Sequence, residues 1–149
     1  MNSNMSEKPE METILIVDND KHGGRYLSTV LCAAGYTVLL ASNGTDALNL
    51  NYRGRIDLLL SDLIMPEMHG AELAQRMQRL HSDIKIIFMS GFTETAAKSF
   101  GFLPDAPFLE KPIVSATLRK KVAMVLSSSL YPAAALAAHC SATALVSQS

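Results

Sequence analysis

Polar side chains that could do chemistry follow or end four apolar stretches of this sequence: Asp18 with Asp20, Asp62, Ser90 and Lys111. Asp62 is the clearest case, because an apolar run beginning at Ile56 ends there and Pro66 then forces the chain to turn. Carboxylates gathered at one place repel one another unless a hard divalent cation or an ammonium group lies between them. The residue types therefore indicate a charge-compensated site, with either a metal ion or Lys111 as the compensating cation.

The elements that must position these side chains alternate between strand and helix. Apolar runs predict strands over residues 13–17, 36–41, 56–62, 84–89 and 106–109. Helical spacing predicts helices between them, with ends at Gly35 and Gly54, a weak fourth helix over 93–100 and a last helix over 113–126. This order indicates an α/β fold, a doubly wound parallel sheet with right-handed crossovers and helices on both faces. The carboxyl ends of its strands would bring the four positions to one edge.

Each candidate also has an ordinary structural interpretation. Asp62 and Asp20 could cap helices, Ser90 could be a turn hydroxyl, and Lys111 could be a solvated surface charge. Any one of these is the more common outcome for a single residue. Their joint occurrence at the ends of strands one, three, four and five favours a functional site.

Composition excludes several classes of protein. A length of 149 residues, 48% hydrophobic and 18% charged, fits one globular domain with a core. A net charge of −1 leaves no electrostatic footprint for nucleic acid. Cys32 and Cys140 have neither metal nor redox spacing. The polar stretch from Met1 to Met11 is unlike a signal peptide, so a cytoplasmic location is expected.

Three segments are predicted along the chain. Residues 1–12 form a flexible N-terminal tail, 13–126 the folded domain, and 127–149 an Ala/Ser-rich C-terminal tail with no effector domain. The C-terminal segment is broken by Pro132 and by His139, and its apolar stretch is short for a membrane span. No membrane association is therefore expected.

The motifs together resemble the receiver domain of two-component response regulators, a CheY-like family with a flavodoxin-like (βα)5 fold and strand order 2-1-3-4-5. The matching segments are residues 14–18, ending in Asp18; 57–62, ending in Asp62; 65–70, beginning Met65-Pro66 and ending in Gly70; Met89-Ser90-Gly91; and 108–112, ending in Lys111-Pro112. The combination is specific and covers about residues 13–126. It implies a single-domain response regulator in a phosphorelay.

The resemblance assigns the chemistry. Asp62 would accept a phosphoryl group, with Mg²⁺ bound, from a histidine kinase or a histidine phosphotransfer protein. Lys111 would pair with the phosphoryl oxygens and Ser90 would hydrogen-bond to them. Phe108 occupies the aromatic switch position, and the bond before Pro112 is typically cis.

The metal ligands implied are Asp18, Asp62 and the backbone carbonyl of Ile64, with Asn19 and Asp20 as further candidates. Receivers usually carry two adjacent acids after the first strand, and here the second is Asn19. One negative charge is lost, which predicts weaker Mg²⁺ binding, and Asp20 could compensate through water.

The family also implies the output. The protein would signal through a contact with a downstream protein at residues 93–100 and 108–126, as a monomer or a weak phosphorylation-dependent homodimer. It would not be an enzyme beyond its own phosphoryl transfer and slow self-dephosphorylation. Slow loss of phosphate is expected because Ile64 and Phe92, two residues after Asp62 and Ser90, are apolar and overlook the path of the attacking water.

Two other functions remain open. Asn19 is compatible with a pseudo-receiver, a binding module that phosphate does not switch. The Asp-x-Asp pattern of residues 18–20 also occurs in haloacid-dehalogenase-like phosphohydrolases. That class needs further metal-binding carboxylates, however, and no Asp or Glu follows Glu110.

Overall fold

Five strands and five helices alternate in the computed structural model, which describes residues 11–99 and 106–128. The strands are β1 (Thr13–Val17), β2 (Thr37–Ala41), β3 (Leu58–Asp62), β4 (Lys85–Ser90) and β5 (Phe108–Glu110). The helices are α1 (Lys21–Ala33), α2 (Gly44–Leu48), α3 (Gly70–Leu80), α4 (Glu94–Ser99) and α5 (Ser115–Ser127). The strands form a sheet in the order β2-β1-β3-β4-β5, and every pairing is parallel. The predicted fold class and strand order are confirmed.

The register of the sheet aligns the carboxyl ends of its inner strands. Val17 pairs with Ser61, and Asp62 pairs with Met89. Ser90 pairs with Glu110 in the next strand. Each parallel strand therefore delivers the residues that follow it to the same edge of the sheet.

Both faces of the central strands are covered. Ile14 and Ile16 pack into one hydrophobic cluster with Leu27 of α1, whereas Leu15 and Val17 pack into a second cluster on the opposite face. Successive side chains of a strand point to opposite faces, so a continuous apolar run supplies both clusters. This is why β1 and β3 are uninterrupted apolar segments.

Two helix ends show clear local determinants, and α2 departs most from the sequence prediction. Helix α1 is followed by Gly35 at φ +104°, the left-handed conformation expected of a glycine after a helix end. Helix α2 begins after Asn43, whose side chain accepts from the Asp46 N–H, but it ends at Leu48 rather than near Gly54. Asn49, a weak helix former, follows α2 directly, and a second asparagine, Asn51, comes two residues later.

Lys85 fastens the end of the last helix to the sheet. Its Nζ donates to the carbonyl oxygens of Leu126, at 2.9 Å, and of Ser128, at 2.7 Å. A cation at a helix C-terminus satisfies carbonyls without helical partners and complements the helix dipole. Because Lys85 is the first residue of β4, Ser128 is held at the amino end of the sheet.

Within residues 11–99 and 106–128, no helix combines the length and apolarity needed to cross a bilayer. The predicted tails, residues 1–12 and 127–149, lie almost wholly outside the described residues, and their boundaries stay predictions. The fourth predicted helix is found as α4, and its expected last residue, Phe100, is also outside the described part.

Candidate functional site

The four predicted positions meet at the carboxyl edge of the sheet. Asp62 is the last residue of β3 and Ser90 the last of β4, while Asp18 and Lys111 follow β1 and β5 directly. Asp18, Asp62 and Ser90 are all buried, with 2%, 6% and 7% of their surfaces exposed. The sequence prediction that these side chains converge is confirmed.

The Lys111 ammonium joins the two buried carboxylates. Its Nζ lies 2.7 Å from Asp62 Oδ1 and 3.1 Å from Asp18 Oδ1. Buried charges are tolerated when they are paired and hydrogen-bonded. The Lys111 ammonium therefore compensates part of the negative charge of both carboxylates.

Backbone N–H groups also donate to the two buried carboxylates and help to orient them. Asp62 Oδ2 accepts from the Asn19 N–H at 2.9 Å, and Asp18 Oδ1 accepts from the Asp20 N–H at 2.9 Å. Sequence reasoning did not foresee the Asn19 contact, because any residue except proline supplies the same donor. Asn19 thus positions the phosphoacceptor candidate through its backbone, whatever its side chain does.

Asp20 takes the ordinary role considered for it. Its side chain accepts from the His22 N–H at 3.1 Å and caps the N-terminus of α1. In the described part of the chain, no group of three or more His, Cys, Asp or Glu residues is arranged to hold a metal ion. Asp20 nevertheless lines the same pocket as Asp62.

An open pocket of about 400 Å³ lies over Asp62. Its walls are formed by Asn19, Asp20, Asp62, Ile64, Met89, Ser90, Gly91, Phe92 and Lys111. Ser90 Oγ accepts from the Phe92 N–H at 3.0 Å, and the Ser90 carbonyl accepts from the Lys111 N–H at 2.8 Å. The loops after β4 and β5 are thus tied together at the wall of this pocket.

Burial raises the pKa of Asp62 to about 6, although the ion pair with Lys111 and the Asn19 N–H favour the charged carboxylate. The negative charge of Asp18 raises this pKa further. Burial alone would lower the pKa of Lys111, but its bonds to Asp62 and Asp18 outweigh that effect and the pKa is raised. The environment therefore favours the protonated ammonium of Lys111 and raises the pKa of the Asp62 carboxyl to about 6.

The predicted switch and proline positions are also defined. Phe108 is buried, with 7% of its surface exposed, and pairs with Phe88 across β4 and β5. The Lys111–Pro112 peptide bond is cis, as predicted.

The family assignment comes from comparison with known proteins. The sequence model of the response regulator receiver domain matches residues 14–123. The chain therefore belongs to the response regulator receiver domain family. The motif-based resemblance in the sequence is confirmed.

Relatives of this receiver domain occur alone and within longer proteins. It is 39% identical over 103 residues to the response regulator receiver protein CpdR of Brucella abortus strain 2308. That match covers 68% of this chain and 86% of CpdR. It is 36% identical over 115 residues to the sensor kinase CckA of the same organism, covering 69% of this chain but 12% of CckA. Against the probable transcriptional regulator ycf27 of Guillardia theta, the match covers 45% of the relative. The chain thus spans less than half the length of these two longer relatives.

Solved structures carry the same fold. A response regulator receiver protein from Sinorhizobium medicae WSM419 superposes with a TM-score of 0.69 at 28% identity, covering 80% of this chain and 97% of that one. The chemotaxis response regulator CheY4 of Vibrio cholerae gives 0.68 at 32% identity, covering 78% and 99%. These matches agree with the five-stranded order described above.

The turn after the phosphoacceptor candidate of this receiver depends on a glycine. The Gly70 N–H donates to the Leu63 carbonyl at 2.7 Å, and a Cβ on Gly70 would collide with the Asp62 carbonyl oxygen. Glu67, within the same turn, has φ +71°. A side chain at position 70 would therefore displace the backbone that carries Asp62.

Ionisation of Asp62 should cost folding free energy at neutral pH. Because the folded state raises the pKa from 3.8 to about 6, it binds more protons than the unfolded chain between these values, and stability falls as pH rises through them. Asp62→Asn should therefore raise the free energy of unfolding at pH 7 by roughly 1–2 kcal/mol. This value is smaller than the full pKa shift implies, because Lys111 is partly exposed and solvent screens its charge. Below about pH 4 the substitution should give no gain in stability, since Asp62 is then largely protonated in both states.

Denaturant unfolding at pH 4 and pH 7 without divalent cations measures this difference. Asp83→Asn, a substitution of an exposed aspartate before β4, serves as the control and should change stability equally at both pH values. An Asp62→Asn protein that is less stable than the wild type at pH 7 would contradict the prediction.

Proposed function

We propose that this receiver domain accepts a phosphoryl group on Asp62 from a phosphohistidine and signals by a phosphorylation-dependent protein contact. The observation that carries the proposal is the contact of 2.7 Å between Lys111 Nζ and Asp62 Oδ1 beneath an open pocket. A carboxylate that lines an open pocket beside an ammonium group suits phosphoryl transfer, which depends on positioning and charge stabilisation. The match to the sensor kinase CckA supports a kinase or phosphotransfer protein as the donor class.

The transfer would proceed by attack of one Asp62 carboxylate oxygen on phosphorus. The new O–P bond forms as the P–N bond to the donor imidazole breaks, and the electron pair of that bond leaves with the imidazole. Lys111 would then neutralise charge on the phosphoryl oxygens, and the Ser90 hydroxyl, on the wall of the same pocket, would hydrogen-bond to them. Asn19 keeps the carboxylate oriented through its N–H.

Residues suitable for Mg²⁺ surround the same pocket. Asp62, Asn19 and Ile64 line it and can offer carboxylate, amide and backbone carbonyl oxygens, the donor type that Mg²⁺ prefers, with Asp18 nearby. When bound, Mg²⁺ would neutralise negative charge on the transferring group. Asp20 is engaged as a helix cap, so it is a weak candidate ligand.

The output surface we propose is formed by residues 93–100 and 108–126. Val114 and Met124 expose 63% and 53% of their surfaces there, and Arg119 and Lys120 are also exposed. Exposed apolar side chains and cations on the same segment suit a protein partner that carries acidic groups. Phe108 and Lys111 connect this surface to the pocket along the chain.

Asp62 should be the only residue that gains phosphate. Incubation with acetyl phosphate and Mg²⁺, followed by intact-mass spectrometry, should add the mass of one phosphoryl group to the wild type and none to Asp62→Asn. Asp83→Asn removes an exposed carboxylate and should be phosphorylated like the wild type. Peptide mapping that places the phosphate on Asp18 would instead favour hydrolase-like chemistry, and full uptake by Asp62→Asn would overturn the assignment.

A pseudo-receiver is the second candidate, and Asn19 favours it. Restoring the missing charge with Asn19→Asp should strengthen Mg²⁺ binding roughly fivefold or more, because one added charge within about 4 Å contributes on the order of 1 kcal/mol. Titration of amide NMR shifts with Mg²⁺ measures the affinity. Asn51→Asp adds the same charge in an exposed loop and should leave the affinity unchanged. Equal affinities for Asn19→Asp and the wild type would refute the prediction.

The phosphorylated form should lose its phosphate slowly. Ile64 and Phe92 line the pocket, and Phe92 exposes 44% of its surface rather than being buried beneath α4, so both can obstruct the attacking water. Ile64→Asn and Phe92→Glu should each accelerate decay severalfold, and together more, since polar groups there can orient water. The decay of purified phosphoprotein gives the rate. Phe92→Leu keeps an apolar wall and should lose phosphate at the wild-type rate. Fast loss of phosphate from the wild type would contradict the idea that Ile64 and Phe92 exclude the attacking water.

A further inference from the structure

The Asp18 carboxylate is packed tightly between Lys111 and the first turn of α1. Its Oδ1 is engaged by the Lys111 ammonium and by the Asp20 N–H. Its Oδ2 is buried and has no hydrogen-bond partner among the described residues. The Asp18 side chain is fully buried, so this oxygen makes no contact with solvent in the observed conformation.

Gly23 leaves the space that this oxygen occupies. A Cβ built on Gly23 would lie 2.8 Å from Asp18 Oδ2, a separation that side-chain carbon atoms essentially never adopt. The φ of Gly23 is not in the left-handed region, so its backbone conformation does not require glycine. A glycine in a helix lowers helix stability by about 1 kcal/mol relative to alanine. At position 23 this loss is accompanied by the close packing of the Asp18 carboxylate against the helix.

We propose that Gly23 is a positioning residue that acts through Asp18. The missing side chain lets the carboxylate sit against the positive end of the α1 dipole with Oδ1 turned toward Lys111. Lys111 is thereby held between Asp18 and Asp62, where its ammonium reaches the phosphoacceptor. The consequence for phosphorylation rests on the proposed function, whereas the placement of Lys111 does not.

Gly24 provides a matched control in the same helical turn. Its Cβ would meet Leu40 Cδ1 at 3.0 Å, the end of a flexible side chain that exposes 41% of its surface, and would meet Asp18 only at Cβ, at 3.4 Å. Alanine at position 23 or 24 gains the same intrinsic helix propensity. The two substitutions differ in whether the Asp18 carboxylate must move.

The experiment compares Gly23→Ala and Gly24→Ala in the full chain by two measurements. The first is the NMR shift of the Lys111 Cε methylene without divalent cations, and the second is the initial rate of phosphorylation by acetyl phosphate with Mg²⁺. Gly23→Ala should shift the Lys111 resonance and slow phosphorylation by roughly ten- to a hundredfold, since small misplacements of catalytic groups have effects of this size. Gly24→Ala should change neither.

Repeating Gly23→Ala in an Asp18→Ala background tests the route of the effect. Removing the carboxylate leaves space for the alanine side chain. In that background, Gly23→Ala should leave the Lys111 resonance unchanged and should not lower the melting temperature. An effect that persists without Asp18, an equal effect of Gly24→Ala, or an unchanged Lys111 resonance in Gly23→Ala would overturn the proposal. A wild-type protein that takes up no phosphate would refute the proposed function, while the Lys111 resonance would still decide the role of Gly23.

Discussion

The ion pair between Lys111 and the two buried carboxylates is the interaction on which this structure depends. Asp18 and Asp62 are carried by different strands, so their mutual repulsion opposes the sheet that brings them together. A single ammonium from a third strand end offsets this repulsion and connects β1, β3 and β5 at one edge. The fold and the chemical site are therefore stabilised by the same contact, and a group that competes for Lys111 must also disturb the sheet edge.

Besides the Lys111 side chain, short hydrogen bonds at Ser90 couple the loops at this edge. The Ser90 carbonyl accepts from the Lys111 N–H, and the Ser90 hydroxyl accepts from the Phe92 N–H. A ligand that draws the hydroxyl away from Phe92 would release the loop after β4, while Lys111 would follow through the carbonyl bond. Whether such a release occurs depends on how strongly the ligand binds the hydroxyl compared with the Phe92 N–H.

The sequence predicted the strands well because burial on both faces leaves nearly continuous apolar runs, as in Leu58–Leu60. It predicted the convergence of Asp62, Ser90 and Lys111 because parallel strands share one carboxyl edge. It did not predict the early end of α2, where Gly54 suggested a later stop than Asn49 allows. The Asn19 N–H and the packing of Gly23 against Asp18 depend on tertiary distances, and in the sequence Gly23 indicates only a weakened helix turn.

The contact of Lys85 with the end of α5 holds Ser128 at the end of the sheet opposite the pocket. Ser128 lies at the amino end of the sheet, whereas Asp62 opens at the carboxyl end. A dye, affinity handle or surface linkage attached at Ser128 itself would therefore lie at the end of the sheet opposite the pocket. Immobilisation through that point would leave the Asp62 pole facing the solution, accessible to a soluble phosphodonor.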